Sequence, residues 1–535
     1  MKHVSVLVAG GGPVGLTLAR ELARRGIDCL LVERNATTTR HPKMDNTNVR
    51  SMELFALSGL EPQLRAVAVP ESHPFDVAWV TTMTGHQLTR FAYPSPAEDR
   101  QRHRAMNDGA QPFSPPMRVS QAEIEPVLKR ALEDETLAEV RFGTALGDLT
   151  QDGDGVTATI RDQDSGRTEL VHARFLVGCD GGNSTVRAAL GIGLDGRANI
   201  MPRFMTHFRT DDPEARSLLQ RWGQTWHYQS VHGTLIAQND VDTWTLHTRY
   251  PTNERDAADP SALVARFVGK PIPLEILVAN PWSPHLLVAQ EAARDRVFLA
   301  GDAGHQYIPT GGYGMNTGIG DAYTLGWQIA ATLRGFGGPG LLAAYAAERL
   351  PVWRRNLEGS RRHNETRVEI ASLYGGLNDQ DEPACALVTT EIARIGNAEN
   401  ESLGLELGYH YAGSPIVAAE PGAEAPSDPY CYQPNTLPGA RLPSLYLEDG
   451  RSVFAALGRW FTILALDDAD PAPLVEAARA RAVPVTVVRT NDPHARAIYG
   501  ADLLLVRPDQ HVAWRGSREA DRRTADMAIA TALGW

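Results

Sequence analysis

The chain has 535 residues, more than one compact core accommodates, so two or three domains are expected. With 43% hydrophobic residues, 22% charged residues and a net charge of −12, it reads as an ordinary soluble protein and not as a general nucleic-acid binder, which needs clustered Lys and Arg. No apolar run approaches the roughly 20 residues that span a bilayer, and Cys29, Cys179, Cys385 and Cys431 fall at neither CxxC nor metal-ligand spacing, so a cytoplasmic chain with no membrane segment, zinc site or disulfide framework is expected.

In chain order, Val4, Val6 and Val8 mark a buried strand. A turn GGGPVG follows, then a helix over Pro13–Arg25 with Pro13 in its first turn and Gly26 just past its end. Cys29–Glu33 is the second strand, which completes a βαβ start. Ala122–Leu132 reads as a helix and Arg174–Cys179 as a short apolar strand ending at Asp180-Gly181. The region near 204–250 favours strands, Val297–Ala300 is another, and helical signals run from Met315 to about Ala393. The segment 418–443, rich in Pro, Gly and Ala, reads as a linker or long loop. Beyond it strands at Phe461–Leu466, Val483–Val488 and Leu503–Arg507 and helices at Pro473–Ala482 and Arg523–Leu533 outline a small α/β domain.

GGGPVG places Gly10, Gly12 and Gly15 in the G-x-G-x-x-G pattern. The first glycine permits the tight turn, the second lets a pyrophosphate approach the backbone, and the third lets helix pack on sheet. Pro13 and Val14 open the helix, whose N-terminus faces the phosphates. Glu33, 18 residues after Gly15, can accept hydrogen bonds from a ribose diol, and Arg34 can cover an adenine or a phosphate. The same pattern recurs at Gly335-Phe-Gly337-Gly-Pro-Gly340, but after a helix and without a βαβ unit, so a plain loop is expected there. A second feature separates FAD from NAD. The apolar strand at Val297 runs into Gly301-Asp302, then into a glycine-rich stretch holding Pro309, Gly312, Gly314, Met315 and Asn316. An Asp there can hold a ribityl hydroxyl, and peptide N–H groups at the following helix start can face the electron-rich edge of a reduced flavin.

This combination resembles the flavoprotein aromatic hydroxylases, the group A FAD monooxygenases related to para-hydroxybenzoate hydroxylase. GGGPVG with Glu33-Arg34 resembles their ADP site, and Cys179-Asp180-Gly181 through Arg187 their central Asp-Gly motif. Gly301-Asp302 through Asn316 resembles the ribityl and isoalloxazine site. Pro42-Lys43 with Asn48 through Leu54, and Arg118-Val-Ser-Gln121, resemble further segments around the flavin. Lys43 stands where many relatives have Arg, and it lacks the planar fork. Leu505 through Arg515 resembles the end of the thioredoxin-like domain of the phenol and polyketide hydroxylase branch, to which the rebeccamycin-pathway flavin hydroxylase also belongs. Without CxxC, packing or dimer contact is the expected role of that domain.

The resemblance implies an α/β chain with a Rossmann-like FAD-binding domain (1–75, 116–197 and 291–365), an interleaved β-sheet substrate domain (76–115 and 198–290), a helical connection (366–417) and a thioredoxin-like domain (418–535). It implies FAD as cofactor, NADPH or NADH as co-substrate, and an aromatic, phenolic or polycyclic substrate hydroxylated with dioxygen through a flavin C4a-hydroperoxide. It leaves a homodimer open. No base is fixed by the motifs. Asp45 is one candidate, and His227 and Arg249, on expected strands of the substrate roof, are the others, with Tyr228, His232 and His247 on the same strands and His305 after the Gly-Asp motif. Baeyer–Villiger oxygenation, oxidative decarboxylation or dehydrogenation on the same scaffold, and a non-catalytic flavin binder, are the competing readings. A halogenase is disfavoured because WxWxIP is missing.

Overall fold

The first strand, Lys2–Ala9, lies between two parallel neighbours, Cys29–Glu33 and Thr168–Gly178. Val6, Leu7 and Val8 are fully buried, so this stretch reads as a continuous apolar run and not as an alternation. The computed structural model describes residues 1–249, 258–374, 377 and 381–535. In it the central sheet runs in the order Ala293–Arg294, Val297–Leu299, Thr168–Gly178, Lys2–Ala9, Cys29–Glu33, Ala138–Phe142. Thr144–Gln151 and Val156–Asp162 extend it as antiparallel strands. Helix Pro13–Arg24 packs on helix Tyr313–Leu333, which joins segments nearly three hundred residues apart.

Thr168–Gly178 begins well before the expected Arg174. Its first half pairs with Val156–Asp162 and alternates between buried and exposed residues, so only its doubly buried end shows as an apolar run.

A second sheet interrupts the first in sequence. Its order is Glu275–Trp282, Arg203–Arg209, Thr243–Arg249, Gly233–Ala237, His227–Ser230, Val77–Val80, Gln87–Phe91. The two faces differ. Phe208, Tyr228, Leu235, Trp244 and Leu246 join Val264 and Phe267 of helix Pro260–Val268 in an apolar core. The alternate residues point the other way: Arg203, Met205 and His207 on one strand, His247 and Arg249 on the next, then Thr234, His227 and Gln229. That polar and aromatic face is turned toward the segment around Asp45 and toward helix Ala343–Ser372.

The C-terminal region forms a four-stranded sheet in the order Val485–Thr490, Phe461–Leu466, Leu503–Val506, Val512–Gly516. The first pair is parallel and the others antiparallel, with helices Ala472–Ala480 and Arg522–Ala532 packed together. The stretch before it, 418–443, carries no helix or named strand; of the two readings, linker or long loop, it is the loop, laid against the sheet with Gly439 N donating to the Val512 carbonyl at 2.7 Å and Arg441 buried.

The Leu505–Arg515 segment is the seam between this unit and the rest of the chain. Arg507 donates to Glu348 Oε2 at 2.8 Å and to Asp509 Oδ2 at 2.6 Å, while Trp327 Nε1 donates to Asp509 at 3.3 Å. Arg50 reaches the Asp509 carbonyl, and Arg441 pairs with Glu53. Burial alone would raise the Asp509 carboxyl, but Arg507 and His511 hold it well below the carboxylate range. Removing one member would strand a buried charge, which costs about 3–5 kcal/mol. The seam therefore depends on the whole set.

Candidate flavin cleft and its roof

The turn after the first strand has the geometry its glycines suggest. Gly10 has φ +110°, and a Cβ there would fall 2.2 Å from the Cys179 carbonyl oxygen. A Cβ on Gly15 would fall 2.0 Å from the Gly10 oxygen, so only glycine lets helix Pro13–Arg24 sit this close to the strand. Gly12 has nothing within 4 Å of its Cβ position: the turn is open on that side. Glu33 accepts from Gly11 N at 2.7 Å and from Asn35 N at 2.8 Å, which ties the second strand's end to the turn. Arg34 beside it is exposed.

The distant half of the site is built around the N-terminus of helix Tyr313–Leu333. Gly311 and Gly312 both have positive φ, and a Cβ on Gly314 would meet only Asp302 Oδ1, at 4.0 Å. Asp302 thus stands over the helix start. Its side chain is exposed to water-sized space, yet protein surrounds it closely. Burial raises its carboxyl above the ordinary aspartate value against the pull of His305 and Lys43. A side chain both exposed and desolvated lines a deep crevice. Pro309 and Lys43 are exposed at its rim, and Met315 is half-buried. Asn316 is a strut: its Nδ2 donates to the Asn46 carbonyl at 3.0 Å and to the Gly312 carbonyl at 2.7 Å, and its Oδ1 accepts from Asn48 N at 3.0 Å. Val14 and Gly301 come together where a Cβ on Gly301 would lie 3.0 Å from Val14 Cγ2.

Asp321, which the motifs do not flag, holds the Gly-Asp turn from below. It accepts from Gly301 N at 3.1 Å, lies 2.9 Å from His305 Nε2, and accepts from Arg349 and Trp353 at 2.8 Å. Burial would raise it, but Arg349 and His305 hold it at about 2. His305 is fully buried and stacked on Tyr307, a supporting position.

Other residues singled out from the sequence have protein partners. Asp180 accepts from Ser184 Oγ at 2.5 Å and Val186 N at 3.1 Å, at the start of helix Thr185–Ala189. Gly181 follows at φ +81°, open on its Cβ side. Gln121 donates to Glu125 at 2.7 Å. The buried Arg118 guanidinium is engaged with Asp240, at 2.6 and 2.8 Å, and with the Ala237 carbonyl, so it clamps the second sheet to the strand pair Asn46–Thr47 and Met117–Arg118.

The roof centres on Asp45. Its Oδ2 accepts from Trp226 Nε1 at 2.5 Å and lies 3.0 Å from His227 Nε2. Burial pushes its carboxyl up, but His227, Trp226 and Arg118 bring it below the ordinary value. The rings of Trp226 and His227 lie 3.9 Å apart, and His227 Nδ1 is buried without a hydrogen-bond partner among the described residues. His247, on the same face, is pushed down to about 4 by burial and by Arg203, against the pull of Asp45, and is neutral at pH 7. Arg249 lies further along that face, exposed, opposite Arg203. Asp45, His227 and His247 are therefore brought together, and Arg249 is set apart from them. Trp226, Asp240 and Arg203 carry no motif. Period-2 alternation across the paired strands is the one signal that could have found Arg203.

Residues 3–360 match the FAD binding domain family, and residues 435–535 match the C-terminal domain of aromatic-ring hydroxylases. The chain belongs to the FAD-dependent aromatic-ring hydroxylases. It is 37% identical to the FAD-dependent monooxygenase apdD of Emericella nidulans, covering 99% of this chain and 90% of that protein. Among solved structures it resembles the rebeccamycin biosynthetic enzyme RebC with reduced flavin, at TM-score 0.88 and 34% identity over 100% of this chain and 99% of that one. The flavin-dependent monooxygenase PieE, solved with FAD and substrate, is similar at TM-score 0.89 and 28% identity over 99% of each chain. This hydroxylase is an FAD-dependent monooxygenase, and NAD(P)H is the flavin reductant typical of its family. No helix among the described residues is long and apolar enough to cross a membrane.

Proposed function

We propose that the enzyme hydroxylates a phenolic or polycyclic aromatic substrate, which enters between the flavin cleft and the polar face of the seven-stranded sheet. The single observation that carries this reading is the Asp45–His227 pair. It is a carboxylate-supported imidazole on the roof of the cleft, whose second ring nitrogen is buried and has no hydrogen-bond partner among the described residues.

The cleft fits FAD. The open side of Gly12 and the free N-terminus of helix Pro13–Arg24 suit a pyrophosphate, with Gly10, Pro13, Val14, Gly15, Glu33 and Arg34 around the ADP half. The desolvated Asp302 suits a ribityl hydroxyl, and the helix start at Gly312–Asn316 suits the electron-rich edge of the flavin ring. Lys43, Arg118, Gln121, Asp180, Gly181, Gly301 and Pro309 complete the set. Arg118, Gln121 and Asp180 act through the segments they pin. Bound FAD supplies the activation of dioxygen and accepts reducing equivalents from NADPH or NADH.

The protein's own part is to orient and deprotonate. A phenol hydroxyl beside His227 can give up its proton to the imidazole, and Asp45 steadies the resulting imidazolium. An ionised phenol is a more electron-rich ring. The supporting arrangement is a discontinuous FAD-binding domain (1–75, 116–197, 291–365) roofed by 76–115 and 198–290. The C-terminal sheet, a βαβ unit followed by an antiparallel pair and a helix, supports the thioredoxin-like reading of 418–535. A cytoplasmic location and a homodimer are compatible with this arrangement.

Purified enzyme supplied with NADPH, labelled dioxygen and a panel of phenols should yield a product one labelled oxygen heavier. NADPH consumption with only hydrogen peroxide released would overturn the reading. Label inserted beside a ketone would move it to Baeyer–Villiger chemistry, and loss of carbon dioxide without label to oxidative decarboxylation.

A further inference from the structure

Residues 507–511 join the last two strands, Leu503–Val506 and Val512–Gly516, and the tip of this hairpin is sunk into the rest of the molecule: Arg507, Asp509, Gln510 and His511 are all buried. Two paths of contacts lead from the tip to the distant half of the flavin cleft. The first starts at Arg507, which donates to Glu348 Oε2 at 2.8 Å. The next residue on that helix, Arg349, donates to Asp321 Oδ1 at 2.8 Å and to the Tyr411 hydroxyl at 3.0 Å. The Tyr411 and His511 ring centroids lie 4.3 Å apart. Asp321 in turn accepts at 3.1 Å from the N–H of Gly301, beside Asp302. The second path starts at the Asp509 carbonyl and the Gln510 side chain, which both accept from Arg50. Arg50 lies in the first turn of helix Val49–Leu57. Asn48 caps this helix by accepting from Ser51 N at 3.0 Å, and its own N–H donates to Asn316, the strut bonded to the Gly312 carbonyl.

Two features set the tip apart from an ordinary domain contact. Apolar packing of similar volume often holds a contact as firmly as buried ion pairs do, so the charges here add direction more than adhesion. A satisfied buried network fixes the orientation of its members. Gln510 is also held at φ +66°, a left-handed conformation that a residue other than glycine keeps only where its surroundings impose it. Arg50 engages its side chain, and its N–H donates to the Arg507 carbonyl at 3.0 Å.

We propose that the Arg507–His511 tip is a positioning element for the flavin, setting the Gly301-Asp302 turn through Glu348, Arg349 and Asp321 and the helix start at Gly312 through Arg50, Asn48 and Asn316. The inference rests on reading those two segments as the ribityl and ring sites. It gives the C-terminal unit a part in the reaction that needs no thiol chemistry. The tip acts through other residues: it holds the peptide N–H groups at Gly312–Asn316 where the reduced, more negative flavin ring needs them. Loosening the tip should therefore weaken the binding of reduced FAD more than that of oxidised FAD.

The test uses variants of the full-length enzyme. Tyr411→Phe removes an acceptor of Arg349 and keeps the ring. Gln510→Asn tolerates the left-handed turn but is too short to reach Arg50. Gly338→Ala disturbs the same C-terminal unit at Gly534, which belongs to neither path. The affinity for oxidised FAD is read by fluorescence titration of the apoprotein and the two-electron midpoint potential by equilibration with a redox dye. In Tyr411→Phe and Gln510→Asn the FAD dissociation constant should rise about 2- to 30-fold, the span of coupling carried through packed networks. The reduced form should loosen about tenfold further, a fall of about 30 mV in the potential. Gln510→Glu, which keeps an acceptor for Arg50, should stay at the wild-type potential. Gly338→Ala should lose stability with affinity and potential unchanged. Melting temperature reports folding, and if one tip variant fails to fold the other decides. A potential unchanged in the tip variants overturns the proposal. So does an equal fall in Gly338→Ala, which would make the effect a general loosening. Asp302→Asn separates this from the reading of the cleft. If it weakens FAD binding while the tip variants do not, the proposal alone falls; if FAD binding is unchanged in all of them, the placement of the ribityl chain falls with it.

Discussion

Two glycine runs in this chain satisfy the same G-x-G-x-x-G pattern, and the structure gives them opposite uses. At Gly10–Gly15 the outer glycines are filled by the protein's own backbone, and the middle one opens onto empty space. At Gly335–Gly340 the middle of the run is filled instead. Gly338 N donates to the Leu533 carbonyl at 2.7 Å and Gly340 N to the Gly534 carbonyl at 3.0 Å, and a Cβ on Gly338 would lie 2.5 Å from the Gly534 oxygen. The first run leaves room for a ligand. The second leaves room for the C-terminus. A glycine pattern therefore reports only that something approaches closely, and the surroundings decide what.

Alanine substitutions separate the two uses. Gly15→Ala should have the largest effect. Its Cβ would press on the Gly10 carbonyl oxygen, a backbone atom that cannot swing aside, and should cost about 3 kcal/mol in chemical denaturation and abolish FAD binding. Gly338→Ala should cost about 2 kcal/mol by wedging the C-terminus away, yet the protein that remains folded should stay yellow. Normal stability in that variant would break the comparison. Gly12→Ala should do the reverse. Gly12 sits at φ −76°, ψ −178°, a conformation alanine adopts freely, with nothing near its Cβ. The apoprotein should gain about 0.4–1 kcal/mol from the stiffer unfolded chain. Its FAD dissociation constant, by fluorescence titration, should rise more than about tenfold, because the new methyl stands where the pyrophosphate must approach.

Much of the fold was legible because the central strands are buried on both faces and announce themselves as apolar runs. Val297–Ala300 appears as Val297–Leu299 and Phe461–Leu466 appears as expected. The flavin cleft was legible because tight turns demand glycine. The roof was much less so. His227, His247 and Arg249 are ordinary strand residues until pairing register puts them on one face, and Arg203 belongs to no motif and shows only through the same alternation. Asp321 and Asp240 were missed for a related reason. Each meets its partners across a long sequence separation, 28 residues to Arg349 and 122 to Arg118, where no local spacing can reveal it.

The smallest expected effect concerns charge in the open run's partner. Among the flavin-cleft residues, Asp302 is the one whose carboxyl is raised by burial, and no described protein group compensates it fully. A raised carboxyl binds its proton more tightly in the folded protein than in the unfolded chain. The apoprotein should therefore lose stability from this group as pH climbs from the ordinary aspartate value, about 3.9, through the raised one. Asp302→Asn should remove that slope, so the apo variant should melt slightly above wild type at pH 7 and match it at pH 4. FAD-loaded wild type should show a smaller slope than the apoprotein, because a ribityl hydroxyl donating to the carboxylate stabilises its charged form. The filled run at Gly335–Gly340, whose backbone is satisfied by the C-terminus, predicts no such difference between apo and loaded protein. A slope equal in apo and loaded wild type would mean that Asp302 does not face the cofactor, and would remove the distinction between the two runs.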